Sequence, residues 1–210
     1  MPAKDTLNKI IQLDEEIAKE REKFEDFPEK EQEEVLVEYF KRVLEQHGEN
    51  DPIEVGAIRA AEMLLGRGTE RCIRWLGNGL GHTNPDIRLL SGDALLHLAQ
   101  DGFERIMPAV EDALEKGGLR AEEMPFLLTD VDHPDVPRVL ERCLDMKTAD
   151  VVASAIEALA EFGDASCVPS LKRIVGDTRR ISVEENDVEK DDYTIGQLAQ
   201  DAIDMLQEEE

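Results

Sequence analysis

Aromatic side chains are scarce in this chain. They make up 4% of its 210 residues, and Trp75 is the one tryptophan. The core therefore has to be built from small and aliphatic side chains, and Ala and Leu dominate the segments in which apolar residues recur. Such residues suit helices that approach each other closely and give little support to a β-sheet. With 41% hydrophobic residues, the chain can still bury a sizeable core.

Cysteines are few and isolated. Cys72, Cys143 and Cys167 show no CxxC spacing, and an odd number of them gives no complete disulfide framework. A paired-cysteine zinc site is not indicated for the same reason. We expect the three thiols to be buried and to fill small apolar spaces.

Long hydrophobic runs and an apolar leader segment are missing as well. Residues 1–26 are amphipathic and acidic, and no stretch approaches the roughly 18 consecutive apolar residues of a membrane span. We therefore expect a soluble, cytoplasmic protein with no membrane partner.

Basic residues are outnumbered two to one. The 24 Lys and Arg residues face 49 Asp and Glu residues, which gives a formal net charge of −25. Nucleic-acid binding relies on Lys and Arg that displace counterions from phosphates, so this charge argues against a nucleic-acid partner. Three explanations stay open: an acidic surface that maintains solubility or suits high salt, a surface complementary to a basic partner, or one that mimics nucleic acid.

Motifs for catalysis and cofactor binding are also lacking. The four histidines lie far apart, and the HExxH, GxSxG and GKS/GKT motifs do not occur. Closely spaced Gly77, Gly79 and Gly81 could suggest a phosphate-binding loop, but they follow a predicted helix rather than a strand, which favours a glycine-rich helix end. The sequence thus predicts a non-enzymatic protein without catalytic residues, metal site or cofactor.

What the chain does have is a near-repeat. When residues 51–80 are shifted by 34 positions, several fall on identical residues, and a further shift by 61 positions, about two shorter repeats, preserves the pattern. Self-similarity with a period of about 30 to 40 residues is typical of stacked helical units, none of which buries its apolar face alone. The matches include Ala60, Ala94 and Ala155; Leu64, Leu98 and Leu159; Gly68, Gly102 and Gly163; Arg71 and Arg105; and Pro108 and Pro169.

The repeats and their breakers divide the chain into predicted parts. Residues 1–50 form an acidic helical hairpin that covers the first unit; the competing interpretation is a dimerisation arm. Asp51-Pro52 and Asn84-Pro85 each mark a helix start, with a capping residue before a proline at the first helical position. The repeat domain, residues 51–210, comprises units at 51–83, 84–118, 119–147 and 148–175, an acidic loop at 176–192 and a capping helix at 193–206.

Several residues of these units resemble the HEAT repeat family, and within it the short bacterial units named after phycobilisome lyases. The resemblance rests on Asn84-Pro85-Asp86-Ile87-Arg88 at a helix start and on paired residues, glycine turns and prolines that recur in two units: Ala94-Leu95, Ala155-Ile156, Gly102, Gly163, Pro108 and Pro169. It implies an all-α fold, a right-handed α-α superhelix with the N-terminal hairpin and the C-terminal capping helix at its ends. The family hosts many unrelated roles, so the resemblance implies little about function.

The acidic charge is concentrated at the two ends. Residues 1–50 carry 15 acids and 8 bases, and residues 176–210 carry 12 acids and 3 bases. The second helices of the units are the least acidic parts, and in arrays that resemble this one they line the concave face. We therefore predict a locally basic partner-binding surface made of Arg71, Arg74, Trp75, Arg105, Arg138, Arg142, Lys172 and Arg173. The alternative is that these arginines pair with acids of their own helix, such as Glu70 with Arg74.

The function that these features favour is a scaffold or adaptor that binds a protein or peptide on its concave face, as a monomer or weak homodimer. One alternative is an immunity or inhibitor protein whose acidic ends neutralise a basic toxin or nuclease. A third, suggested by the family name alone, is a chromophore lyase or isomerase, which would need a reactive, exposed cysteine or a pigment-binding pocket.

Overall fold

The computed structural model describes residues 2–162, 165–181 and 193–208, and most of these residues are helical. The expected all-α fold is confirmed for them, since extended pairing is limited there to an isolated bridge between Arg180 and Thr194. The helices are α1 (Pro2–Glu25), α2 (Glu29–Gln46), α3 (Val55–Arg67), α4 (Glu70–Leu80), α5 (Pro85–Asp101), α6 (Met107–Lys116), α7 (Leu119–Thr129), α8 (Val136–Cys143), α9 (Ala149–Phe162), α10 (Val168–Lys172) and α11 (Ile195–Glu208).

The predicted two-helix units correspond to consecutive helix pairs. These pairs are α3 with α4, α5 with α6, α7 with α8, and α9 with α10, and α11 occupies the place of the capping helix. Short 3₁₀ turns at Phe103–Ile106 and Ala165–Cys167 precede α6 and α10, whose prolines stand in the first helical turn. The turn predicted at Gly163 and most of the predicted acidic loop, residues 182–192, lie outside the described residues.

Helices in alternate positions lie against each other. Helices α2, α4 and α6 are in contact in succession, as are α7, α9 and α11, and α3 packs on α5. One cluster of buried side chains runs through this arrangement, from Leu36 and Phe40 in α2 to Leu206 in α11. The second helix of the N-terminal hairpin therefore belongs to the same core as the repeats.

Asn84 starts α5 as the sequence predicts. Its Oδ1 accepts hydrogen bonds from the backbone N–H groups of Asp86 at 2.9 Å and of Ile87 at 3.4 Å. Its Nδ2 donates to the backbone carbonyls of Gly48 at 2.9 Å and of Asp51 at 2.8 Å. This buried side chain thus caps one helix and fixes the turn between α2 and α3.

The other predicted helix start, Asp51-Pro52, is wrong. Helix α3 begins at Val55 instead. The Asp51 carboxylate accepts a hydrogen bond from the backbone N–H of Gly48 at 2.6 Å, and its carbonyl is held by Asn84. Asp51 therefore stabilises the turn before the helix, so the helix starts three residues after Pro52.

Two glycines that were predicted to end α4 lie inside it. The helix continues to Leu80, and Gly77 and Gly79 are buried within it. A Cβ atom at position 77 would lie 3.0 Å from the Cβ of Ala109, and one at position 79 would lie 3.0 Å from the Cβ of Ser91. The missing side chains therefore allow α5 and α6 to approach α4 closely, a tertiary requirement that overrides the low helix propensity of glycine.

The start of α11 is fastened to the turn between α8 and α9. The backbone N–H of Ile195 donates to the carbonyl of Arg179 at 2.9 Å. The Arg179 guanidinium donates to the carbonyls of Met146 at 3.0 Å and Lys147 at 2.7 Å. It also donates to the Asp177 carboxylate at 2.6 Å and thereby lowers the pKa of that group.

Candidate functional site

Four arginines of the predicted basic surface pair with acids of a neighbouring second helix, in contacts that we call the inter-unit ion-pair row. Among the described ion pairs of these four arginines, one other is formed within a single helix, Arg74 with Glu70 in α4, as expected. The row therefore ties successive units together along one face. It consists of Glu33 in α2 with Arg71 in α4 at 3.7 Å, Arg74 in α4 with Asp112 in α6 at 3.5 Å, Glu111 in α6 with Arg142 in α8 at 2.8 Å, and Asp145 with Arg173, just beyond α8 and α10, at 3.8 Å.

These contacts compensate most of the positive charge on this face. Arg142 donates two hydrogen bonds to Glu111, at 2.9 and 2.8 Å, and lowers the pKa of that carboxyl. Arg138 and Lys172 are exposed, and neither makes an ion pair with any residue that the structure describes. They are the members of the predicted surface whose charge is left for a partner.

The last two residues of the predicted surface have contacts of their own. Trp75 is half-buried and packs against the core cluster. Arg105 pairs with Asp101 at 2.7 Å, within its own unit. The structure thus places the eight predicted residues on second helices or at their ends, and their partner-binding role stays a prediction.

Asp112 is the centre of a buried charge cluster that sequence reasoning missed. Its side chain is 6% exposed and lies 2.7 Å from Lys116 Nζ, 3.1 Å from Arg120 Nη1 and 3.5 Å from Arg74 Nη1. Arg120 also donates to Asn78 Oδ1 in α4. One carboxylate therefore joins α4, α6 and the start of α7 and is compensated by three cations, which fits a structural role.

A groove between α5 and α7, which we call the first-helix groove, carries exposed apolar side chains. Leu89 is 64% exposed and Phe126 is 45% exposed. They line a groove of about 350 Å³, together with Leu80, Leu96 and Leu127. These two exposed apolar side chains make the groove a candidate surface for contact with another molecule.

The charged residues around the first-helix groove are mostly acidic. Asp93, Glu123 and Asp130 line it together with a single cation, Arg88. Arg88 Nε lies 3.0 Å from Glu123 Oε1, so the charge of that arginine is already compensated. Two carboxylates, those of Asp93 and Asp130, remain to attract a positively charged ligand.

The three cysteines are buried, as expected from the sequence. Burial raises the pKa of the Cys72 thiol, and it raises the pKa of Cys143 to about 11. The reactive species of a cysteine is the thiolate, which such burial suppresses. None of the three therefore offers the exposed, reactive thiol that a chromophore lyase would use.

The cysteines should therefore resist alkylation in the folded protein. With iodoacetamide at neutral pH, intact-mass spectrometry is expected to show no modification of the native chain over the time in which the urea-unfolded chain gains three adducts. Rapid modification of one native thiol would contradict this expectation and would restore the lyase hypothesis.

No group of three or more His, Cys, Asp and Glu side chains in the described part of the chain is arranged to hold a metal ion. The imidazole of His82 contacts the carbonyl of Leu44 through Nε2 at 2.9 Å and accepts the Asn84 backbone N–H at Nδ1, so it acts at a helix junction. Over the same described residues, no helix combines the length and apolar character needed to cross a bilayer.

Comparison with known proteins adds little to this geometry. No family model matches the chain, and no curated protein matches it. The crystal structure of an engineered protein from the Northeast Structural Genomics Consortium aligns with 87% of this chain and 93% of its own at 16% identity. The TM-score of that alignment, 0.33, is too low to carry over a fold or a function.

Proposed function

We propose that this protein is a non-enzymatic, cytoplasmic scaffold that binds a basic polypeptide partner, built as a right-handed α-α superhelix of HEAT type. The alternate packing of α3 on α5, and of α7, α9 and α11 in succession, supports a stack of similar units. The observation that carries the binding role is the exposure of Leu89 and Phe126 at the first-helix groove.

The chemistry of the first-helix groove indicates its partner. Its apolar lining suits a large aliphatic or aromatic side chain as an anchor, since burying one such side chain gains about 1.5–3 kcal/mol. Asp93 and Asp130 suit lysine or arginine next to that anchor. A peptide that alternates apolar and basic residues is therefore the expected ligand class.

Selection from a phage library of short random peptides tests this proposal. The wild-type chain is expected to enrich peptides with an apolar residue flanked by lysine or arginine. Their affinity, measured by fluorescence polarisation, should fall at least about ten-fold in the double variant Leu89→Asp and Phe126→Asp, because it removes the apolar contacts. The control is Met205→Asp in α11, an equally exposed apolar side chain outside the groove.

The predicted basic surface on the second helices, to which Arg138 and Lys172 belong, is the competing surface, and the same peptides distinguish the two. Charge reversal at the uncompensated cations, Arg138→Glu with Lys172→Glu, should leave binding of the selected peptides unchanged. Loss of binding in this variant, with retention in the Leu89 and Phe126 variant, would move the binding site to the second helices. Failure to enrich any basic, apolar peptide would contradict the scaffold proposal in its present form.

A second candidate function is an inhibitor that neutralises a basic toxin or nuclease. The net charge of −25 favours it, because long-range attraction to a basic partner accelerates association. An interaction of that kind weakens steeply as salt rises and does not depend on Leu89 or Phe126. Affinity measured at low and high salt on the wild-type chain and the groove variant therefore separates the two functions.

A further inference from the structure

We propose that α1 is a dimerisation arm, and that α1 of a second copy of this chain lies antiparallel to it and covers its apolar face. Every described side chain of α1 from Asp5 to Glu25 is exposed, apart from the partly buried Phe24. This inference concerns assembly and is independent of the ligand proposed for the first-helix groove.

The exposed apolar side chains of α1 leave the helix without the packing that normally stabilises one. They are Leu7, Ile11, Leu13 and Ile17, which are 55%, 49%, 47% and 49% exposed. Most of the stability of a helix in a protein comes from the burial of such a face against other elements. A 24-residue helix with this face in water therefore requires a partner for it.

The contacts that hold α1 to the rest of the chain are concentrated at its C-terminal end. Gln32 Nε2 donates to the Glu25 carbonyl at 3.1 Å, and the Arg67 guanidinium pairs with the Glu25 carboxylate. Phe24 packs against the core cluster. The end of α1 is thus anchored on α2 and α3, while the described side chains before Phe24 are exposed.

A groove of about 600 Å³ runs between α1 and the pair α2 and α3, and we call it the arm groove. Its apolar lining includes Leu13 and Ile17 from α1, Val35 from α2, and Val55 from α3. Val35 and Val55 are 53% and 70% exposed, so the groove is open to a large ligand. Its apolar lining suits the apolar face of a helix.

A second copy fits this surface because the arm and the groove are both apolar and can bury each other. Each chain carries both an unpartnered apolar helix and an apolar groove beside it. A two-fold axis between the copies makes every contact occur twice, which is the commonest arrangement of soluble oligomers. Each arm then fills the open side of the other chain's groove.

Charge sets the antiparallel direction. Residues 2–13 carry two bases and one acid, whereas residues 14–25 carry three bases and six acids. Glu16 and Glu20 stand at the α1 edge of the arm groove. Antiparallel pairing places the basic half of one arm against the acidic half of the other, while parallel pairing would oppose two acidic halves.

Sedimentation velocity of the full chain over a range of concentrations tests the proposal. The wild-type chain is expected to dimerise reversibly, and the double variant Leu13→Asp with Ile17→Asp should stay monomeric at every concentration at which the wild type is dimeric. The matched control is Leu89→Asp with Phe126→Asp, which removes equally exposed side chains from the first-helix groove and should dimerise like the wild type. Circular dichroism verifies that each variant is folded.

Two single charge reversals test the direction of pairing without touching apolar residues. Lys9→Glu, in the basic half, should weaken dimerisation, and Lys19→Glu, in the acidic half, should strengthen it, each by roughly two- to five-fold in the dissociation constant. Both substitutions change the net charge equally. Equal effects would overturn the antiparallel arrangement, and a wild-type chain that stays monomeric at the highest concentration would overturn the arm itself.

Discussion

Replacement of Asp112 by Asn is expected to lower the free energy of unfolding by about 1.5–3 kcal/mol, the range typical of hydrogen bonds to a charged group, because the carboxylate is buried while its cations are partly exposed. The amide keeps the size of the carboxylate but not its charge, so Lys116 and Arg120 lose their carboxylate partner, while Arg74 retains only Glu70. The melting temperature should fall on the order of 10 °C for a chain of this length. Urea unfolding followed by circular dichroism gives the free energy directly.

The neighbouring residue supplies the control. Glu111→Gln removes a carboxylate from an ion pair that is about half exposed, and exposed pairs contribute less than about 1 kcal/mol. A similar loss in the two variants would show that Asp112 is not the centre of a buried cluster. Substitution of Arg120 by Gln in the Asp112→Asn background should recover part of the lost stability, because it removes one of the opposing cations.

The Asp112 cluster could not be predicted from the sequence. Lys116 follows Asp112 by one helical turn, so that ion pair can be predicted from helical spacing alone. Arg74 lies 38 positions earlier, in another unit, and Arg120 follows a break in the helix. Only the packing of α4, α6 and α7 brings these three cations to the buried carboxylate of Asp112.

Local capping chemistry was a good guide where no distant group competed for it. Asn84 caps α5 with its side-chain amide oxygen, Oδ1, so the local sequence was sufficient to predict this cap. Asp51 carries the same signal before a proline, but its oxygens are bound by Gly48 and Asn84 in the turn. The prediction of a helix start at Asp51-Pro52 was therefore wrong because Asp51 is engaged in these contacts of the turn, which the local sequence pattern does not show.

Which surface buries an exposed apolar residue is likewise hard to predict from the sequence. The apolar stripe of α1 is evident from its spacing, but spacing alone does not say whether the same chain or a second copy buries it. Leu89 falls on Val55 in the 34-residue shift, and both are exposed. The recurrence of an apolar residue at this position was the signal available in the sequence, and it becomes meaningful only once the structure shows that Phe126 lines the same groove as Leu89.

Replacement of Gly79 by Ala is expected to destabilise the protein by about 2 kcal/mol, although alanine is the better helix former. The new Cβ would lie 3.0 Å from the Cβ of Ser91 and 3.2 Å from the ring of Phe40, and it would overlap the Ser91 hydroxyl. Both neighbours are fully buried, so they have little room to move. The contact between α4 and α5 must therefore open.

Gly66 provides the opposite case within the same fold. It lies in α3, is exposed, and a Cβ there would meet no atom within 4 Å. Gly66→Ala should therefore stabilise the protein by about 0.5 kcal/mol through helix propensity alone. Urea unfolding of the two variants should give changes of opposite sign. Stabilisation by both substitutions would mean that glycine at position 79 only lowers the helix propensity of α4 and is not needed for the close packing of α5 on α4.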